Sequence, residues 1–223
     1  MLKKFFAHIG SMVIYISEKE KFMSEGLFIT FEGGDGCGKT TQIKLLDEYL
    51  RNKGFKTLLT REPGSKGLGV KLREILLNYD GEVSSVAESF LFLADRAQHV
   101  DCIIKPALEA GVIVLCDRHT DSTVAYQGYG RGLDLEQIYR LNKIATSGLE
   151  PDLTIVLDVD VETSQKRVGA EKDRMESAGI DFFERVRNGF LEIAKQEPDR
   201  VKVVDSTQSI EEIHKQILEL VKR

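Results

Sequence analysis

Apolar residues in this chain gather into short unbroken runs, separated by longer stretches in which they recur every three or four positions. The runs at 27–31, 56–60, 112–116, 153–158 and 201–205 are short, apolar or β-branched, and bounded by polar or glycine residues, which predicts strands. The stretches between them predict helices at 41–50, 70–77, 87–102, 135–147, 181–194 and 210–222. Gly54 is placed to stop the first helix, and Ser209 with Glu212 forms a capping box ahead of the last. Strands and helices therefore alternate. The predicted fold class is α/β, a doubly wound parallel sheet flanked by helices, with its site beyond the carboxyl ends of the strands.

The chain has 223 residues, and its 42% hydrophobic and 30% charged composition is ordinary for a globular protein. Without repeats or low-complexity tracts, it reads as one domain over 23–223, preceded by an extension at 1–22 to which the sequence assigns no role. Lys3 and Lys4 ahead of an apolar stretch imitate a signal peptide, but His8 interrupts that stretch and no cleavage-type site follows. No segment approaches the ~20 apolar residues of a membrane span. A formal net charge of -5 argues against nucleic acid as a partner. Cys37, Cys102 and Cys116 are odd in number and lack C-x-x-C spacing, which fits a reducing cytoplasm. The segment from Gly169 to Gly179, within a candidate lid of about 169–180, is charged and bounded by glycines, which suits either a mobile lid or a plain solvated connection.

One segment changes the picture. Gly33-Gly34-Asp35-Gly36-Cys37-Gly38-Lys39-Thr40, continued by Thr41, satisfies G-x-x-x-x-G-K-[ST] between a predicted strand and a predicted helix. Glycines let the backbone N–H groups wrap a phosphate, Lys39 reaches the outer phosphates, and the Thr40 hydroxyl suits Mg²⁺. The loop therefore assigns residues 33–41 to ATP and places the sheet in the P-loop NTPase class. Cys37 inside it reads as a small loop filler rather than a redox thiol.

The strand at 112–116 ends in Asp117-Arg118. An acid at that position suits metal or nucleophile positioning, and the arginine suits a phosphate, although a strand-end ion pair reads equally well. Arg61, Arg73 and Arg96 are each, taken alone, surface charges; converging on one phosphate they would hold an acceptor.

From Gly26 onward the chain resembles bacterial thymidylate kinases. FEGGDGCGKTT (31–41), TREPG (60–64), LFLADRAQH (91–99), DRHTDSTVAYQG (117–128), PDLTIVLD (151–158) and DRMESAGIDFFERVRNGF (173–190) carry the likeness. The resemblance implies transfer of the γ-phosphoryl of MgATP to dTMP in a homodimer. It implies that Asp35 accepts the sugar 3′-hydroxyl, Phe92 stacks on thymine, Arg96 reads thymine O4, and Thr123 and Gln127 line the pyrimidine edge. Tyr126 would exclude a 2′-hydroxyl, and Arg61, Arg73 and Arg118 would hold the dTMP phosphate. Asp117 with Thr40 would serve the metal. Some relatives carry an arginine where this loop has Gly36, so the catalytic cation falls to the lid, with Lys172 and Arg174 first and Arg167 next. A kinase for another monophosphate shares the loop. A GTPase switch expects N-K-x-D, and Asn142-Lys143-Ile144-Ala145 lacks the aspartate.

Overall fold

The computed structural model describes residues 26–167 and 179–221 in full, together with the backbone of 5–9 and 12–16. Within the N-terminal extension, β1 (Phe5–Ile9) and β2 (Met12–Ile16) pair antiparallel with Phe5 opposite Ile16. This hairpin was not expected from the sequence, because its two apolar runs are separated by only two residues and read as a single leader.

The main sheet has five strands, β3 (Phe28–Glu32), β4 (Thr57–Arg61), β5 (Ile113–Asp117), β6 (Leu153–Asp158) and β7 (Val201–Asp205). They run parallel in the order β4-β5-β3-β6-β7. Every residue of central β3 is buried, whereas the edge strands β4 and β7 are partly exposed. That difference follows from covering a parallel strand on both faces. From β3 the chain runs out to the β4 edge, returns through β5, and crosses to β6 on the other side. The carboxyl ends of β5, β3 and β6 therefore bracket the point where the winding reverses, which is where such sheets open a crevice.

Among the helices, α1 (Lys39–Asn52) and α9 (Ile210–Val221) cover one face. Leu46 and Ile217 pack there with Ile29, Phe31, Leu115 and Ile155 in the largest core cluster. The Ser209–Glu212 box forms as expected: Ser209 Oγ accepts from Glu212 N at 3.2 Å, and Ser209 N donates to Glu212 Oε2 at 3.1 Å. The remaining helices are α2 (Leu68–Asn78), α3 (Ser85–His99), α4 (Lys105–Glu109), α5 (Thr120–Thr123), α6 (Leu135–Ala145), α7 (Val161–Arg167) and α8 (Ile180–Gln196).

Two π-helical turns, Val100–Ile104 after α3 and Val124–Gly130 after α5, depart from the expected pattern. The first carries the chain from α3 into α4, where Pro106 occupies the first turn and needs no N–H donor. The second widens the backbone so that Arg131 N bonds back five residues to Tyr126 O, at 2.9 Å. Helices α4, α5 and α7 have seven residues or fewer, too short for a periodic signal.

Leu46 is fully buried between α1 and the sheet. Leu46→Ala should lower stability by about 2–4 kcal/mol, read as a lower urea midpoint at unchanged slope.

Candidate active site

The site begins where β3 ends. Gly33 lies at φ 129°, and a Cβ there would stand 2.5 Å from the Leu157 carbonyl oxygen, so only glycine fits. Gly38, at φ 96°, caps α1 and turns the loop into the helix. The first N–H groups of a 14-residue helix thus face the loop's concavity, a natural anion seat. Lys39 Nζ donates to the Gly34 carbonyl at 2.8 Å and the Gly33 carbonyl at 3.2 Å. Cys37 is buried in the core, which supports a packing role, while Thr40 and Thr41 are exposed. The Ser164 hydroxyl donates to the Asp35 carbonyl and the Ser206 hydroxyl to the Cys37 carbonyl. Segments α7 and the turn after β7 therefore brace the loop from outside. Arg167 Nη1 donates to the Ser206 carbonyl at 3.2 Å, which places it on that bracing turn. Lys172 and Arg174 lie outside the described residues.

Beside the loop, β5 delivers Asp117 and Arg118. Asp117 Oδ1 is buried without a hydrogen-bond partner among the described residues. Arg118 has φ 68°, a left-handed conformation costing roughly 1 kcal/mol for a residue with a side chain. Its guanidinium offsets this with three contacts. Nη2 donates to Asp35 Oδ1 at 2.6 Å, and Nη1 donates to the Gly33 carbonyl at 2.9 Å and Ser122 Oγ at 3.2 Å. It also lies 5.0 Å from the Tyr126 ring centroid. Burial pushes the Asp35 carboxyl up, but Arg118 and Lys39 outweigh it and hold the group below its usual range.

Between these elements opens a cleft that is partly open to solvent. Asp35, Arg73, Phe92, Arg96, Arg118, Thr123, Tyr126 and Gln127 all line it, joined by Glu62, Pro63, Leu77 and Ser122. Eight of the expected substrate residues therefore meet in one place. Arg61 does not line it: it ends edge strand β4 with its side chain exposed, and the adjacent Glu62 is buried in its stead.

Sequence reasoning missed the buried groups that hold this lining. Arg96 is 2% exposed. It donates through Nε to Glu62 Oε2 at 2.8 Å, through Nη1 to Thr123 Oγ1 and Asn142 Oδ1 at 2.7 and 2.6 Å, and through Nη2 to the His119 carbonyl at 2.9 Å. Glu62 Oε1 also lies 2.9 Å from Nδ1 of both His99 and His119. Burial opposes the charge on Glu62, but the histidine rings and Arg96 keep its carboxyl well below the usual range. On the other side, Gln127 Nε2 donates to Glu88 Oε1 at 2.9 Å, and Arg131 donates to both Glu88 oxygens at 3.2 Å. The Arg131 guanidinium lies 4.6 Å from the Phe182 centroid on α8, and the Tyr126 ring meets Phe182 edge-on at 6.1 Å. The signal for Glu62 lay inside TREPG, whose arginine drew attention away from the acid beside it.

Known proteins resemble this chain over most of its length. The family model described as "Thymidylate kinase" matches residues 31–217. The chain belongs to the thymidylate kinase family. A thymidylate kinase of Desulfovibrio desulfuricans is 51% identical over 197 residues, covering 84% of this chain and 91% of that protein. One from a Sulfurihydrogenibium species is 50% identical over 199 residues, covering 89% and 98%. The crystal structure of thymidylate kinase from Ehrlichia chaffeensis superimposes with a TM-score of 0.75 at 37% identity, covering 88% of this chain and 99% of that one.

Glu32, the last residue of β3, is fully buried and joins the phosphate loop to the Arg118 turn. It accepts from His119 N at 2.7 Å and Ser122 Oγ at 2.5 Å. Burial, reinforced by the Asp121 charge, pushes its carboxyl from 4.5 up to about 8. Between those values the folded chain holds a proton that the unfolded chain has released, so stability falls as pH rises through that window. Glu32→Gln should remove this fall. Denaturation midpoints from pH 4.5 to 8 should show the unmodified chain losing roughly 2–5 kcal/mol relative to the variant.

Proposed function

We propose that this member of the thymidylate kinase family moves the γ-phosphoryl group of MgATP to dTMP, giving ADP and dTDP, at the cleft between the phosphate loop and the Arg118 turn. The observation that carries the reading is the meeting of Asp35, Arg73, Phe92, Arg96, Arg118, Thr123, Tyr126 and Gln127 around one cavity that abuts the loop. In this reading the loop amides of residues 33–41 cradle the ATP phosphates and Lys39 follows the transferred group. Arg118 and Arg73 hold the acceptor phosphate. Asp35 accepts the sugar hydroxyl, Phe92 covers the base, and Arg96, Thr123 and Gln127 read its edge. Tyr126, packed against Phe182, closes the space beside the sugar.

An acceptor phosphate oxygen attacks the γ-phosphorus in line, and the bond from that phosphorus to the β-bridging oxygen breaks, leaving its electron pair on ADP. The attacking oxygen is already anionic, so these residues contribute positioning and charge stabilisation rather than a base. The orphaned Asp117 Oδ1 and the exposed Thr40 hydroxyl suit a hard cation held largely by substrate oxygens. Mg²⁺, when bound, neutralises charge on the phosphate oxygens. Arg167, with Lys172 and Arg174 of the 169–180 lid, supplies the remaining cations.

We further assign the chain to the cytoplasm as a homodimer. Its three free thiols support the compartment, and no described helix is long and apolar enough to cross a membrane. Packed helices α2 and α3 expose the apolar side chains of Leu68, Ile75, Val86 and Phe90, which a second copy would cover.

An ADP-coupled assay with each nucleoside monophosphate should give the highest kcat/KM with dTMP; faster turnover of AMP or UMP defeats the substrate assignment. Lys39→Ala should cut kcat by about 10²–10³ with little change in melting temperature. For the assembly, Phe90→Lys should convert a two-chain species to a single chain in sedimentation, whereas an unmodified chain that sediments as a monomer at micromolar concentration removes the dimer.

A further inference from the structure

Gln127 presents an ambiguity that a nucleotide-reading site has to resolve. Its side-chain amide carries two donor hydrogens on one side and an acceptor oxygen on the other, and the two ends are nearly equal in shape. Whichever end faces the cleft decides whether the base must donate or accept there.

Glu88 settles the matter chemically. It stands in the first turn of α3, 1% exposed, and its Oε1 lies 2.9 Å from Gln127 Nε2. An ionised carboxylate accepts and cannot donate. Arg131 keeps it in that form, donating to Oε1 through Nε and to Oε2 through Nη2. The Arg131 guanidinium is itself held over the Phe182 ring. Only the amide nitrogen can face such a partner, so the Gln127 carbonyl is turned toward the cleft it lines. Across that cleft Arg96 offers the opposite sense, since a guanidinium only donates. One acceptor beside one donor matches a ring N–H next to a C=O, the imide edge shared by thymine and uracil. Cytosine brings a ring nitrogen acceptor and an amino donor to the same two positions, and both clash.

We propose that Glu88 is the specificity-determining positioning residue of the acceptor site: it fixes the sense of the Gln127 amide and thereby admits imide-edged pyrimidines and rejects cytosine. The inference rests on the dTMP kinase reading above. Glu88 touches no substrate. It acts through Gln127, and the charge pair with Arg131 keeps the arrangement from reversing.

The test is Glu88→Gln in the full-length chain, assayed with MgATP and with dTMP, dUMP and dCMP. Glutamine keeps the size but can donate as well as accept, so the Gln127 amide becomes free to rotate. The kcat/KM ratio of dTMP to dCMP should fall by about tenfold or more, the scale of one mispaired buried hydrogen bond. The dTMP to dUMP ratio should stay unchanged, because the two bases share the edge being read. A merely structural role predicts an equal loss for all three substrates, and that result, or an unaltered dTMP to dCMP ratio, overturns the proposal. The unmodified chain gives a second readout that needs no folded variant. In ¹⁵N-resolved exchange experiments without nucleotide, the Gln127 side-chain NH₂ should already be protected. Free exchange there would place the nitrogen on the cleft side and defeat the assignment. If the unmodified chain fails to phosphorylate dTMP, the kinase reading fails, while the exchange measurement still decides the amide's orientation.

Discussion

The Arg118–Asp35 ion pair joins the two halves of the cleft. The arginine comes from the turn after β5, and the aspartate comes from the loop after β3. These strands are neighbours in the sheet but 83 residues apart in the chain. A guanidinium that also takes the Gly33 carbonyl and the Ser122 hydroxyl ties loop, strand end and α5 into one rigid unit. Those contacts offset the cost of the left-handed backbone at Arg118. Remove the pair, and the loop after β3 and the turn after β5 lose their common reference point.

A second principle governs the cleft's walls. Three of the residues that face it are held from behind by a buried acid: Arg96 by Glu62, Gln127 by Glu88, and Arg118 through Ser122 by Glu32. Such acids are expensive to bury alone, and each is matched by donors that leave little freedom. The result is preorganisation. These polar groups are oriented without a ligand, so a molecule bound in the cleft would leave little ordering entropy to be lost.

These two layers differed in how far the sequence revealed them. Strands β6 and β7 were read with their observed bounds, because each apolar run is flanked by residues that end a strand. The phosphate loop was legible because its chemistry fixes residue types at fixed spacing over the eight positions from Gly33 to Thr40. The supporting layer has no such spacing. Glu62 and Arg96 are 34 residues apart, Arg96 and Asn142 are 46 apart, and Glu88 and Gln127 are 39 apart. Their pairing exists only once the sheet has brought those segments together, and no local periodicity encodes it. Arg61 shows the converse error. A basic residue at a strand tip looked like part of the cluster, but β4 lies at the sheet's margin, and its neighbour Glu62 is the one buried at the cleft.

The aromatic contacts of Phe182 have one more consequence. This ring touches Tyr126, which lines the cleft, and underlies Arg131, which pairs with Glu88 behind Gln127. A rotation of the first turn of α8 would therefore act on both at once, so two stretches of the cleft wall are geared together through a single phenyl group.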